Sequence, residues 1–145
     1  MDKNQIIDFI PDMIQQAKHA RTRAYAPYSN YTVGAALLTM DDVIITGCNV
    51  ENAAYSPGNC AERTAIFKAV SEGYRQFKAI AIVAGEAALE GTEAYPSPCG
   101  VCRQVLREFV NPKDFMIVLA KSVEDYKLFT LEELLPISFG PEYLN

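Results

Sequence analysis

Phe77-Lys78-Ala79-Ile80-Ala81-Ile82-Val83-Ala84 is apolar at every position but Lys78. A strand with one wet face alternates apolar and polar side chains, whereas a strand covered on both faces has no wet side to mark. This stretch therefore predicts a central strand with helices above and below it. Upstream, Cys60 to Val70 places Ala65, Ile66, Ala69 and Val70 on one helical face, with Asn59 suited to the N-cap and Gly73 as the stop. Downstream, the Gly-, Ala- and Glu-rich Gly85 to Tyr95 reads as a loop that Pro96-Ser97-Pro98 ends stiffly. Cys99 to about Val110 is then a second helix burying Val105, Leu106 and Phe109. Phe115 to Ala120 and Tyr126 to Thr130 read as strands and Leu131 to Leu135 as a short helix.

Further towards the start, Gln5 to Ala20 repeats apolar residues at the spacing of an amphipathic helix, despite Pro11. After the turn-rich Ala26-Pro27-Tyr28-Ser29-Asn30, Tyr31 to Met40 and Val43 to about Val50 form a hairpin around Asp41-Asp42, closed by the polar cluster Asn49-Val50-Glu51-Asn52. The element order predicts an α/β fold: a three-layer α/β/α sandwich with a mixed sheet of about five strands. At 145 residues the chain suits one compact domain, expected to be a single catalytic domain over residues 1–145.

Lys plus Arg number 13 against 18 Asp plus Glu, a net charge of −5, which gives no basic excess for a polynucleotide. No stretch approaches the roughly 20 apolar residues of a spanning helix, and Met1 to Ile10 lacks the features of a signal peptide. A cytoplasmic protein without nucleic-acid or membrane partners is the expectation. In a reducing compartment the four cysteines, Cys48, Cys60, Cys99 and Cys102, persist as thiols, either packed or ligating a metal.

Cys60-Ala61-Glu62-Arg63 and Pro98-Cys99-Gly100-Val101-Cys102 both fall where helices begin. There the free N–H groups and the dipole favour thiolate. Cys99 and Cys102, three apart, share a helical face and can share an ion, and soft thiolate donors suggest zinc. Strand alternation puts Asn49 and Glu51 on one face and Cys48 on the other, so Cys48 is assigned to packing. Three thiolates and an open position are the arrangement of a catalytic zinc. Glu62, in the first helical turn, is placed to reach a water there and shuttle its proton. Zinc with three thiolates has a formal charge of about −1, which Arg63 and the helix dipoles would offset. The residues alone leave open a redox C-x-x-C pair, a closed four-cysteine zinc site in a non-catalytic interaction module, and a salt-bridging surface role for Arg63. His19 reads as a surface or capping residue.

The segments Ala26-Pro27-Tyr28-Ser29, Val33 to Thr39, Gly47-Cys48-Asn49-Val50-Glu51-Asn52-Ala53-Ala54-Tyr55, Cys60-Ala61-Glu62-Arg63-Thr64-Ala65, Ser97 to Gln104 and Leu134-Leu135-Pro136 together resemble the short, three-cysteine, zinc-dependent cytidine deaminases. The resemblance covers nearly the whole chain. It implies one Zn2+ per subunit on Cys60, Cys99 and Cys102, and hydrolytic deamination of cytidine and deoxycytidine at C4 with Glu62 moving the protons. It implies that Asn49 and Glu51 bind the ribose hydroxyls and that the Ala61 N–H holds the base O2. It also implies that Tyr31, where the family usually has phenylalanine, packs on the pyrimidine. Tyr55 and Phe139 would act across subunit contacts in a homotetramer that shares its active sites. Deamination of an aminoacyl-nucleoside antibiotic, or of a polynucleotide, is the rival within the same chemistry.

Overall fold

The computed structural model describes residues 5–87 and 94–144. Its strands are β1 (Tyr31–Thr39), β2 (Ile44–Cys48), β3 (Phe77–Glu86), β4 (Met116–Ala120) and β5 (Tyr126–Thr130). They form one sheet in the order β2-β1-β3-β4-β5, parallel only between β3 and β4. Helix α1 spans Ile10–Arg21, α2 Ala61–Ser71, α3 Gly100–Phe109 and α4 Leu131–Leu134. A parallel pair needs a crossover, and α3 supplies it between β3 and β4.

The apolar run of β3 sits in the middle of the sheet, as expected. Ala79, Ala81 and Val83 pack with α1 residues Ile10, Met13, Ile14 and Ala17 on one face. Ile80 and Ile82 pack with Ala65, Ile66 and Leu106 of α2 and α3 on the other. The sandwich is therefore three-layered. Two glycines set how closely the helices approach it. A Cβ on Gly34 of β1 would lie 1.9 Å from the Ala17 carbonyl oxygen of α1, and one on Gly47 of β2 would lie 2.6 Å from the Ala61 carbonyl oxygen of α2.

The elements depart from the sequence expectations mainly at their ends. The first helix starts at Ile10, with Pro11 in its first turn, because proline lacks the N–H and the space to let a helix run back towards Gln5. Asn59 is not the cap of α2. Its backbone is committed to a two-way bridge with Val50 (N···O 2.8 and 2.9 Å), so the helix begins one residue later with Cys60 as N-cap. Strand β3 takes in Gly85 and Glu86, and residues 88–93 of the expected loop lie outside the described residues. A 3-10 turn at Pro141–Tyr143 was not anticipated.

Candidate active site

Two helix N-termini converge beside the sheet. Cys60 and Cys99 are the N-caps of α2 and α3, both with extended backbone, and Cys102 lies one turn into α3, buried. The Cys60 and Cys99 Sγ atoms are 3.8 Å apart, those of Cys99 and Cys102 3.2 Å, and all three lie within 4.8 Å of one another. Four bonds of about 2.3 Å in a tetrahedron place sulfurs roughly 3.8 Å apart, so this soft donor set fits a zinc ion with one position left open. Cys48 faces the other way: it pairs with Gly34 on the α1 side of the sheet, half-buried in a separate cleft with His19 and Arg23 rather than in the core. The reading that used all four cysteines is thereby set aside. His19 is exposed in the last turn of α1.

The electrostatics follow from this packing. Donation from the Cys102 thiol, then from Arg63, holds the Cys60 thiol down to about 5, while its role as donor to Cys60, and then burial, push Cys102 up. The Arg63 Nη2 lies 3.3 Å from the Cys60 Sγ, and the sulfur contact raises the guanidinium above its ordinary value. Glu62 is only 5% exposed. Burial pushes its carboxyl up to about 7, and the neighbouring Cys60 charge adds to the shift. Such a carboxyl exchanges a proton readily near neutrality.

Cys60, Cys99, Glu62 and Arg63 line a cleft of about 910 Å3 that also takes in Tyr31, Asn49, Glu51, Tyr55 and Ala61. Asn49 extends the hairpin with its side chain, Oδ1 accepting from the Val33 N–H (2.8 Å) and Nδ2 donating to the Tyr31 carbonyl (2.9 Å). One amide proton and one lone pair remain for a ligand. The Glu51 carboxylate accepts from the Tyr28 and Ser29 N–H groups (3.0 and 3.1 Å) and from the Ser29 hydroxyl. The hydroxyl holds its carboxyl below the ordinary glutamate value. Cys60 makes no side-chain cap at the start of α2, and Ala61, the first residue of that helix, lines the cleft.

Two of the expected residues are largely exposed, and one of them lies outside the cleft. Tyr55 is 98% exposed at the rim, and Phe139 does not line this cleft but is exposed and stacked on Tyr143. Several contributors were not singled out from the sequence. Tyr95 and Val101 line the wall, and Arg103 ties Pro98, Ser97 and Leu134 together. Ser29 stood within a matching segment, yet its partner Glu51 is 22 residues away and no local pattern announces the pair.

Residues 9–119 match the family model described as cytidine and deoxycytidylate deaminase zinc-binding region. The chain belongs to this family. A cytidine deaminase of Sporosarcina psychrophila is 49% identical over 136 residues, covering 94% of this chain and 95% of the relative. A probable cytidine deaminase of Dictyostelium discoideum is 42% identical, over 90% of this chain and 84% of its own. Among solved structures, the cytidine deaminase from Burkholderia pseudomallei superposes with a TM-score of 0.79 at 44% identity, covering 96% of this chain and all (100%) of that one. The family's zinc-binding region takes in Cys60, Glu62, Cys99 and Cys102, the residues that the fold brings together.

Proposed function

We infer that this protein hydrolyses cytidine and deoxycytidine to uridine and deoxyuridine plus ammonia. The observation that carries the reading is the buried Glu62 beside three clustered thiols, with Glu62, Cys60 and Cys99 lining one open cleft. One zinc ion per subunit on Cys60, Cys99 and Cys102 would, when bound, acidify a water for attack on C4 of cytosine. Glu62 accepts one proton of that water and passes it to N3, then collects the second from the hydroxyl now on C4 and delivers it to the departing amine, so that water and cytidine leave as uridine and ammonia. The Ala61 N–H holds the base O2. Arg63 draws charge from the Cys60 sulfur and so keeps the site electrophilic. Asn49 and Glu51 take the ribose hydroxyls with their spare hydrogen-bonding capacity, and Tyr31 packs on the pyrimidine.

The cleft lies towards the upper end of the size range of small-molecule sites, which leaves room for side chains from another copy. Exposed Tyr55 and Phe139 fit that role in a homotetramer with shared active sites, each subunit being one catalytic domain. The net charge of −5 suits an uncharged nucleoside rather than a polynucleotide. Four unpaired cysteines fit a reducing cytoplasm, where the reaction would return free pyrimidine nucleosides to use in salvage.

The test follows cytidine by its ultraviolet absorbance and zinc by elemental analysis on one preparation. Glu62→Gln should keep its zinc and lose about 10²–10⁴-fold in kcat. Unchanged turnover would refute the assignment, and a strong preference for an aminoacyl-nucleoside antibiotic in a substrate panel would redirect it.

A further inference from the structure

Helix α3 does more than present Cys99 and Cys102. Arg103 donates to the Leu134 carbonyl, Gln104 Nε2 donates to the Phe139 carbonyl (3.0 Å), and Arg107 closes on the segment beyond. The Arg107 side chain is only 7% exposed, although it sits under a surface segment. Its Nε donates to the Ser138 hydroxyl (2.7 Å), and both terminal nitrogens engage the Glu142 carboxylate. Gly140 lies against the guanidinium so closely that a Cβ there would be 2.3 Å from Nη1. The residues held this way are apolar and face out: Ile137, Phe139, Tyr143 and Leu144 are all exposed, and the Phe139 and Tyr143 rings stack at 5.3 Å. Ile137 has φ +52°, a conformation costly for a β-branched residue, which a segment keeps only when its surroundings impose it.

A buried guanidinium is expensive unless it is fully paired, and an exposed aromatic pair gains little from being rigid in a lone chain. The two features make sense together if the rigidity serves a ring that works elsewhere. We propose that the Arg107–Glu142 ion pair holds Phe139 outward for the pocket of a second copy of this chain, so that Arg107 is a positioning residue for its neighbour's reaction. This rests on the reading of Phe139 as a residue lent between subunits. Helix α3 then ties a subunit's own metal ligands to the ring it lends, because Cys102 and Arg107 lie on the same ten-residue helix.

A double-mutant cycle on the full-length, zinc-loaded protein tests it, with light scattering to follow assembly. Phe139→Ala should lower kcat/KM for cytidine at least fivefold, chiefly through KM. Arg107→Met should do the same, and Arg107→Met/Phe139→Ala should be no worse than Phe139→Ala alone. Arg107→Lys should recover part of the loss. The chain has no tryptophan, so Phe139→Trp adds a single emission probe, whose anisotropy should fall when combined with Arg107→Met or Glu142→Gln. If Phe139→Ala is silent, the lending of Phe139 fails and takes the ion-pair role with it. A loss with Phe139→Ala that Arg107→Met does not share, or that adds to it in full, overturns the ion-pair role alone. Should Arg107→Met not fold, Glu142→Gln at the exposed end of the pair decides the matter: unchanged kcat/KM and anisotropy overturn the proposal.

Discussion

Arg63 reaches back one helical turn to place Nη2 3.3 Å from the Cys60 Sγ, at the open end of the dipole of α2. A thiolate that donates fully to zinc quenches the ion's charge, and three of them leave it formally at about −1. A guanidinium on one sulfur withdraws part of that donation. Arg63→Gln should therefore keep nearly full zinc occupancy while kcat falls by about 10–100-fold, the usual range for a residue that supports a metal ligand. Arg63→Lys should fall between, since an ammonium lacks the planar fork. Steady-state kinetics with zinc analysis checks both, and an unaltered kcat in Arg63→Gln would return the residue to a surface role.

The layers and the reactive cluster were legible in the sequence because both rest on local signals. The unbroken apolar run of β3 needs covering on two faces, and Cys60 and Cys99 are read directly as helix starts. What stayed hidden depends on distant partners. Asn59 has the chemistry of an N-cap, yet its backbone bridge to Val50 moves the cap to Cys60. Arg107 has no visible partner until the chain has turned through β4, β5 and α4 to bring Glu142 back to it. Phe139, expected at the site from the sequence, lies outside the cleft among the described residues, exposed and stacked on Tyr143.

Cys48 and Cys99 should separate cleanly under substitution. Cys48 lies across the sheet from the cluster, whereas Cys99 is within sulfur contact of both of its neighbours. Cys48→Ala should retain zinc and turnover, while Cys99→Ala should lose both. The metal should also stabilise the fold by about 4 kcal/mol when present at a thousand times its dissociation constant. Thermal melts with and without chelator would show a large shift for wild type and Cys48→Ala, and little for Cys99→Ala. Loss of zinc from Cys48→Ala would mean that the set of ligands is wrong.

Glu51 gives the binding step a pH signature. The Ser29 hydroxyl, with the Ser29 and Tyr28 N–H groups, holds its carboxyl below the ordinary glutamate value. A depressed carboxyl stays charged, and keeps its stabilising contacts, until the pH falls through its folded-state value. The contribution of Glu51 to KM for cytidine should thus be lost only at a pH below the usual glutamate range. Ser29→Ala removes the largest cause, so the acid limb of KM should move to higher pH. Coincident KM profiles for the two proteins would show that ribose binding does not depend on this carboxylate.

Gly47 and Gly34 test how the scaffold sets the site. A Cβ on Gly47 would come 2.5 Å from the Ala65 nitrogen and 2.6 Å from the Ala61 carbonyl oxygen, so Gly47→Ala must push the first turns of α2 off the sheet. Those turns hold Cys60, Glu62 and Arg63. On the opposite face, a Cβ on Gly34 would meet the Ala17 carbonyl oxygen at 1.9 Å and must push α1 instead. Both changes should cost about 1–3 kcal/mol or more in urea unfolding, as overpacking does. Their effects on function should diverge. Gly47→Ala should weaken zinc binding and cut kcat at a temperature where it remains folded, whereas Gly34→Ala should leave the folded fraction with near-normal zinc affinity and kcat. Equal losses of zinc affinity in the two variants would show that α2 is not what sets the ligands in place.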